Sequence, residues 1–123
     1  MAKTVMIIDD STSLRQVVDL TLKGAGYHVV QADNGKTALD KLAQGIAPSL
    51  IVCDVNMPIM DGITFVKELK SLPEHKFTPV VMLTTEASED KKLAGQMAGA
   101  KAWLVKPFRA DTLLKSVRKL ILP

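Results

Sequence analysis

The chain has 123 residues, 47% hydrophobic and 24% charged, the balance of one globular domain that can bury roughly two thirds of its unfolded surface. Its 16 basic and 13 acidic residues leave a net charge of +3 spread along the chain. With one Trp, one Tyr and three Phe to stack on bases, that excess argues weakly for nucleic acid and suits an acidic protein partner equally well. The apolar runs fall far short of the ~18 residues that a membrane span needs, and the start MAKTVMIIDD has no signal-peptide core, so a cytoplasmic protein is expected. Cys53 has no second cysteine to pair with, and His28 and His75 stand apart from it, which excludes a disulfide framework and a zinc site.

Val5 to Ile8 is a continuous run of apolar, mostly branched residues and reads as a strand buried on both faces. Leu14, Val17, Val18 and Leu22 follow at helical spacing; Ser11, Thr12 and Ser13 can cap the start of that helix, and Gly24 and Gly26 follow its end. His28 to Ala32 is less apolar and fits a strand at a sheet edge, after which Ala38, Leu39 and Leu42 mark a second helix. Leu50 to Cys53 reads as a doubly buried strand, and Phe65, Val66 and Leu69 as a helix starting near Gly62 with Asp61 as its cap. Val80 to Leu83 is the next such strand, and Asp90 to Met97 carries a fainter helical pattern. Ala102 to Val105 reads as another strand buried on both faces. Leu113, Leu114, Val117, Leu120 and Ile121 give a last helix that runs nearly to Pro123, so no effector domain is expected behind it. Pro48, Pro79 and Pro107 fall between elements. Strict alternation of strand and helix predicts right-handed crossovers and a doubly wound, five-stranded parallel α/β domain over residues 1–123.

In an open parallel sheet the ligand site lies beyond the carboxyl ends of the strands. The residues that follow the apolar runs are Asp9 and Asp10, Asp54, Thr84 and Thr85, and Lys106. Parallel strands must gather them at one edge. Close carboxylates repel by about 4 kcal/mol per pair at an effective dielectric near 20, and one lysine cannot neutralise three of them. A hard divalent cation suits such all-oxygen ligands, and Mg²⁺ takes one or two carboxylates, keeps waters and bridges to phosphate. The predicted site is therefore a Mg²⁺ site in which an aspartate can attack phosphorus while Lys106 and the cation hold the phosphoryl oxygens.

The acidic pair after the first strand, Asp54 within DVNMPIMDG, the Thr84 hydroxyl and the Lys106-Pro107 dipeptide together resemble the response-regulator receiver domain of two-component signalling, over essentially the whole chain. The resemblance implies the flavodoxin-like strand order 2-1-3-4-5 with five flanking helices. It implies that Asp54 accepts a phosphoryl group from a histidine kinase, that Asp10 binds Mg²⁺ directly and Asp9 mainly through water, and that Asn56 adds its backbone carbonyl. Thr84 and Lys106 would hydrogen-bond the phosphoryl oxygens, and the bond before Pro107 would be cis, aiming Lys106 inward.

Among receivers the chain is most similar to the free-standing chemotaxis regulators, which implies a flagellar motor switch protein as partner, possible action of a phosphatase, a monomer, and no DNA or membrane binding. By the same resemblance Asn56 and Glu86 would tune how fast water removes the phosphoryl group, and Thr84 and Trp103 would be the switch residues. Trp103 departs from the usual Tyr, and Thr85 is bulkier than the alanine often found there. Such a protein catalyses its own phosphorylation and dephosphorylation and is not an enzyme acting on a separate substrate. Lys91, Lys92, Lys101, Lys115 and Lys119, with Arg109 and Arg118 nearby, would join Trp103 on the partner surface formed by the last two helices and the strand between them, where positive charge would steer acidic segments.

Simpler readings exist for each residue alone. Asp9 and Asp10 could serve only the dipole of the first helix, Asp54 could be a turn residue, Thr84 a strand end, Lys106 ordinary loop chemistry, Trp103 plain core and the lysines a solvated face. Cys53 reads as a small core residue. Gly35-Lys36-Thr37 imitates a phosphate-binding loop, but that motif needs glycine where Val30 stands. Among whole-chain alternatives, a phosphate sink or phosphorelay intermediate would share every site residue. A Mg²⁺-dependent aspartyl phosphatase would want a second aspartate where Asn56 stands. A flavin binder would meet repulsion from Asp9 and Asp10.

Overall fold

The computed structural model describes residues 2–85 and 89–121, apart from the side chains at 89 and 91. In chain order its elements are β1 (Thr4–Ile8), α1 (Thr12–Gly24), β2 (His28–Ala32), α2 (Gly35–Ala43), β3 (Leu50–Asp54), α3 (Gly62–Lys70), β4 (Val80–Thr84), α4 (Glu89–Ala98), β5 (Ala102–Val105) and α5 (Ala110–Leu120). The strands form one parallel sheet in the order β2-β1-β3-β4-β5, the expected flavodoxin-like arrangement.

The sheet divides the apolar residues by the two-residue period of its strands. Met6, Ile8, Ile51, Cys53, Val80 and Met82 face α2 and α3, where Ala38, Leu42, Phe65, Val66 and Leu69 meet them. Val5, Ile7, Leu50, Val52, Val81 and Leu83 face α1 and α5, against Val18, Leu22, Leu113 and Val117. Each of these large side chains is worth about 1.5–3 kcal/mol on full burial, and this two-sided core is what holds the strand ends in register.

Local signals place the helix starts. Ser11 accepts the Leu14 N–H at 3.2 Å, Asn34 the Thr37 N–H at 2.9 Å and Asp61 the Thr64 N–H at 2.8 Å, each satisfying an otherwise orphaned donor. Asn34 thus caps a helix at Gly35-Lys36-Thr37. No helix among the described residues is long and apolar enough to cross a membrane.

Four expectations shift. β3 and β4 each run one residue further than their apolar stretches, so Asp54 and Thr84 end the strands and do not follow them. Gly24 is the last residue of α1, and it is Gly26, at φ +97°, that makes the left-handed turn. The fainter fourth helix extends to Glu89–Ala98. The reading of Ala102 to Val105 as a strand buried on both faces is corrected: β5 is the second edge of the sheet, paired with β4 alone among the described residues, and Val105 is exposed. Its Ala-Trp-Leu-Val composition matches a central strand, but chain order makes it the last to join. β2 occupies the other edge, as its lower apolarity predicts.

Candidate metal centre at the strand ends

Strand register brings the predicted residues together. Ile8 lies opposite Cys53, so Asp9 emerges beside Asp54, which pairs with Leu83, and Thr84 pairs with Val105, just before Lys106. Asp9, Asp10 and Asp54 each offer an oxygen such that all lie within 4.8 Å of one another. Asp9 and Asp54 are buried, whereas Asp10 is exposed at the rim.

Asp9 is held from several directions. Its Oδ1 accepts the Ser11 N–H at 2.8 Å, its Oδ2 accepts from Lys106 Nζ at 2.8 Å, and its backbone carbonyl accepts from Arg15 Nη1 at 2.5 Å. Arg15 is itself steadied by Nε donating to Gln31 of β2 at 3.1 Å. Lys106 Nζ also lies 3.3 Å from Asp54 Oδ1, so one ammonium bridges the two buried carboxylates. The Lys106-Pro107 bond is cis, as the resemblance implied.

The charges do not balance. Burial pushes the Asp54 carboxyl above its ordinary value and Asp9 adds to that; Lys106 pulls it down, and Asp10 raises it again. For Lys106, burial works against the ammonium, yet hydrogen bonding and charge from Asp9, joined by Asp54, hold it above its ordinary value. Burial, followed by the Asp54 and Asp9 charges, raises the Cys53 thiol well above its usual range, so it persists as a neutral core residue. Three oxygen donors facing one ammonium fit a hard divalent cation, and the residues suit Mg²⁺ by donor type and by negative excess.

The loop after Asp54 is pinned to the site. Gly62 N–H donates to the Val55 carbonyl at 2.8 Å, and a Cβ at Gly62 would overlap the carbonyl oxygen of Asp54. Gly62 is therefore required by close approach of two backbones. Asn56 sits exposed in that loop, next to the strand end. Thr84 is fully buried, and its carbonyl accepts the Lys106 N–H at 2.7 Å. Sequence reasoning gave Arg15 no role and saw Gly62 only as a helix start, because a clamp on a backbone carbonyl and a backbone-to-backbone approach have no local spacing signal.

The other predicted positions spread out. Trp103 is half-buried on the same sheet face as Met82, which it pairs with, and its ring lies over Gly95 of α4. Its indole N–H is buried without a partner among the described residues. Lys92, Lys101, Lys115 and Lys119 are exposed, but Lys101 stands at the start of β5, the opposite end from Lys106. Glu86 lies outside the described residues, as does the side chain of Lys91.

The chain matches the family model described as response regulator receiver domain over residues 5–118. It is 37% identical over 117 residues to chemotaxis protein CheY-3 of Vibrio cholerae, covering 94% of this chain and 89% of that one. To chemotaxis protein CheY of Bacillus subtilis it is 34% identical over 120 residues, covering 97% and 98%. It superposes on the solved structure of Vibrio cholerae chemotaxis protein CheY4 with a TM-score of 0.92 at 48% identity, covering 98% of this chain and 99% of that chain.

Proposed function

The chain belongs to the response-regulator receiver family, and on that premise we propose that Asp54 is its phosphoacceptor, loaded by a histidine kinase. A receiver domain is not a conventional enzyme; the group it transfers ends on itself. The observation that carries the reading is the gathering of Asp9, Asp10 and Asp54 within 4.8 Å of one another beside the Lys106 ammonium.

An ionised Asp54 oxygen attacks the phosphorus of phosphohistidine. The new O–P bond forms as the P–N bond breaks, and the bonding pair returns to an imidazole protonated at its other nitrogen. Lys106, already 3.3 Å from Asp54, donates to a phosphoryl oxygen, and the Thr84 hydroxyl donates to another. Asp9, Asp10, Asp54 and the Asn56 backbone carbonyl would hold Mg²⁺, which when bound supplies the positive charge that lets Asp54 stay ionised and screens the incoming phosphoryl group. The side chains of Asn56 and Glu86 regulate water's access for hydrolysis of the acyl phosphate.

Phosphorylation then alters affinity for a partner through Thr84 and Trp103. The chemotaxis proteins among the relatives support the flagellar motor switch as that partner, met by Lys91, Lys92, Lys101, Trp103, Lys115 and Lys119. In this reading residues 1–123 act as one receiver domain, monomeric and cytoplasmic.

Trp103 is the only tryptophan, so its emission reports on the switch. Acetyl phosphate with Mg²⁺ changes that emission in the native chain, and Asp54→Asn abolishes the change. A variant that still responds would remove Asp54 from the role.

A further inference from the structure

α4 has an apolar side that the core does not use. Gly95 is buried against Trp103, but Leu93 and Met97, one helical turn apart, are 56% and 80% exposed. Next to them Ala94 and Ala98 line a groove of about 610 Å³ whose other wall is Lys67, Lys70 and Ser71 of α3 and its cap. Two alanines leave space for another backbone to come near, and a flexible thioether adapts to whatever lies on it.

The rim of this groove is cationic. Lys67 is exposed, and Lys70 is half-buried, with its stem against Gly99 and its Nζ donating to the Thr78 carbonyl. Burial holds the Lys70 ammonium below its ordinary value, and the charge of Lys101 lowers it further. No carboxylate lines the groove among the described residues. An apolar floor under crowded ammonium groups is complementary to a ligand with one apolar and one acidic side.

We infer that the groove between α3 and α4 docks an acidic amphipathic helix of a partner protein, its apolar side on Met97, Ala94 and Ala98 and its carboxylates on Lys67 and Lys70. This groove lies between α3 and α4, and Trp103, which packs against Gly95 of α4, does not line it. A nucleic acid or an anionic lipid headgroup would satisfy the lysines and leave the alanine floor and Met97 in water. A second copy of the chain would bring its own positive excess against the same lysines.

The probe is a synthetic helix of about 18 residues, five turns, with Leu along one face and Glu along the other, titrated into the ¹⁵N-labelled full chain. Amide shift changes concentrated in α3 and α4 are expected. Met97→Glu and Lys67→Glu, both at exposed positions, should each weaken binding by about tenfold, the scale for removing one anchor of an interface. Both variants keep the emission response to acetyl phosphate, so failure here is distinguishable from failure of the phosphoacceptor assignment. The inference is overturned by shifts centred elsewhere, or by variants that bind as tightly as the native chain. It is overturned equally by an oligonucleotide or anionic vesicle that binds these residues more tightly than the peptide does, or by self-association that Met97→Glu abolishes.

Discussion

Asp54 occupies a place where its own charge is unfavourable. Burial and the neighbouring Asp9 raise its carboxyl above the ordinary 3.8, more than Lys106 restores. The folded state therefore holds that proton to a higher pH than the unfolded chain does. Stability then falls as pH rises from about 3.8 through the raised value, opposite to the behaviour of a salt-bridged aspartate. In Mg²⁺-free buffer Asp54→Asn removes this slope and is more stable than the native chain at neutral pH, because Lys106 keeps Asp9 as its partner. Urea denaturation of both proteins across pH 4 to 8 measures the difference directly. An Asn variant less stable than the native chain at pH 7 would mean that the Lys106 bridge outweighs the repulsion. At this scale Asp9, Asp10, Asp54 and Lys106 were legible in the sequence, since each stands at the carboxyl end of an apolar run. Arg15 and Gly62 were not, since their partners are a distant backbone carbonyl and a distant peptide unit.

Among elements, the pairing of α4 with β5 is the least legible. Hydropathy alone placed Ala102 to Val105 in the interior, and nothing local shows that Trp103 needs Gly95. The need is tertiary: a Cβ at Gly95 would stand 2.6 Å from Cζ3 of the indole, so the helix and the strand can approach only because one side of the contact is glycine. Gly95→Ala gains up to about 1 kcal/mol in helix propensity but must displace the ring, a strain of about 1–3 kcal/mol. The expected result is an indole moved outward, seen as red-shifted emission of the sole tryptophan with a modest net loss of stability. Emission at the native wavelength would show that α4 shifts and the ring does not. The helix starts, by contrast, were readable because capping is local: Ser11, Asn34 and Asp61 each bond an N–H three residues on.

At the scale of the molecule, one topological rule does most of the positioning. A parallel sheet wound in the order β2-β1-β3-β4-β5 puts the ends of β1, β3, β4 and β5 along one edge, and two apolar faces fix their register. The core thus holds carboxylates together that would separate if free to do so. The fold was legible for the same reason: alternation of strand and helix, combined with right-handed crossovers, leaves few topologies. The groove between α3 and α4 was not, because Lys67 and Lys70 on one wall and Ala94, Met97 and Ala98 on the other come from separate stretches of the sequence. The account stands on the negative excess of the strand-end pocket, and unfolding free energies with and without Mg²⁺ test it most directly. At Mg²⁺ near 100 times its dissociation constant the native chain should gain about 2.7 kcal/mol, and Asp54→Asn far less. An equal gain in both proteins, or none in either, would contradict it.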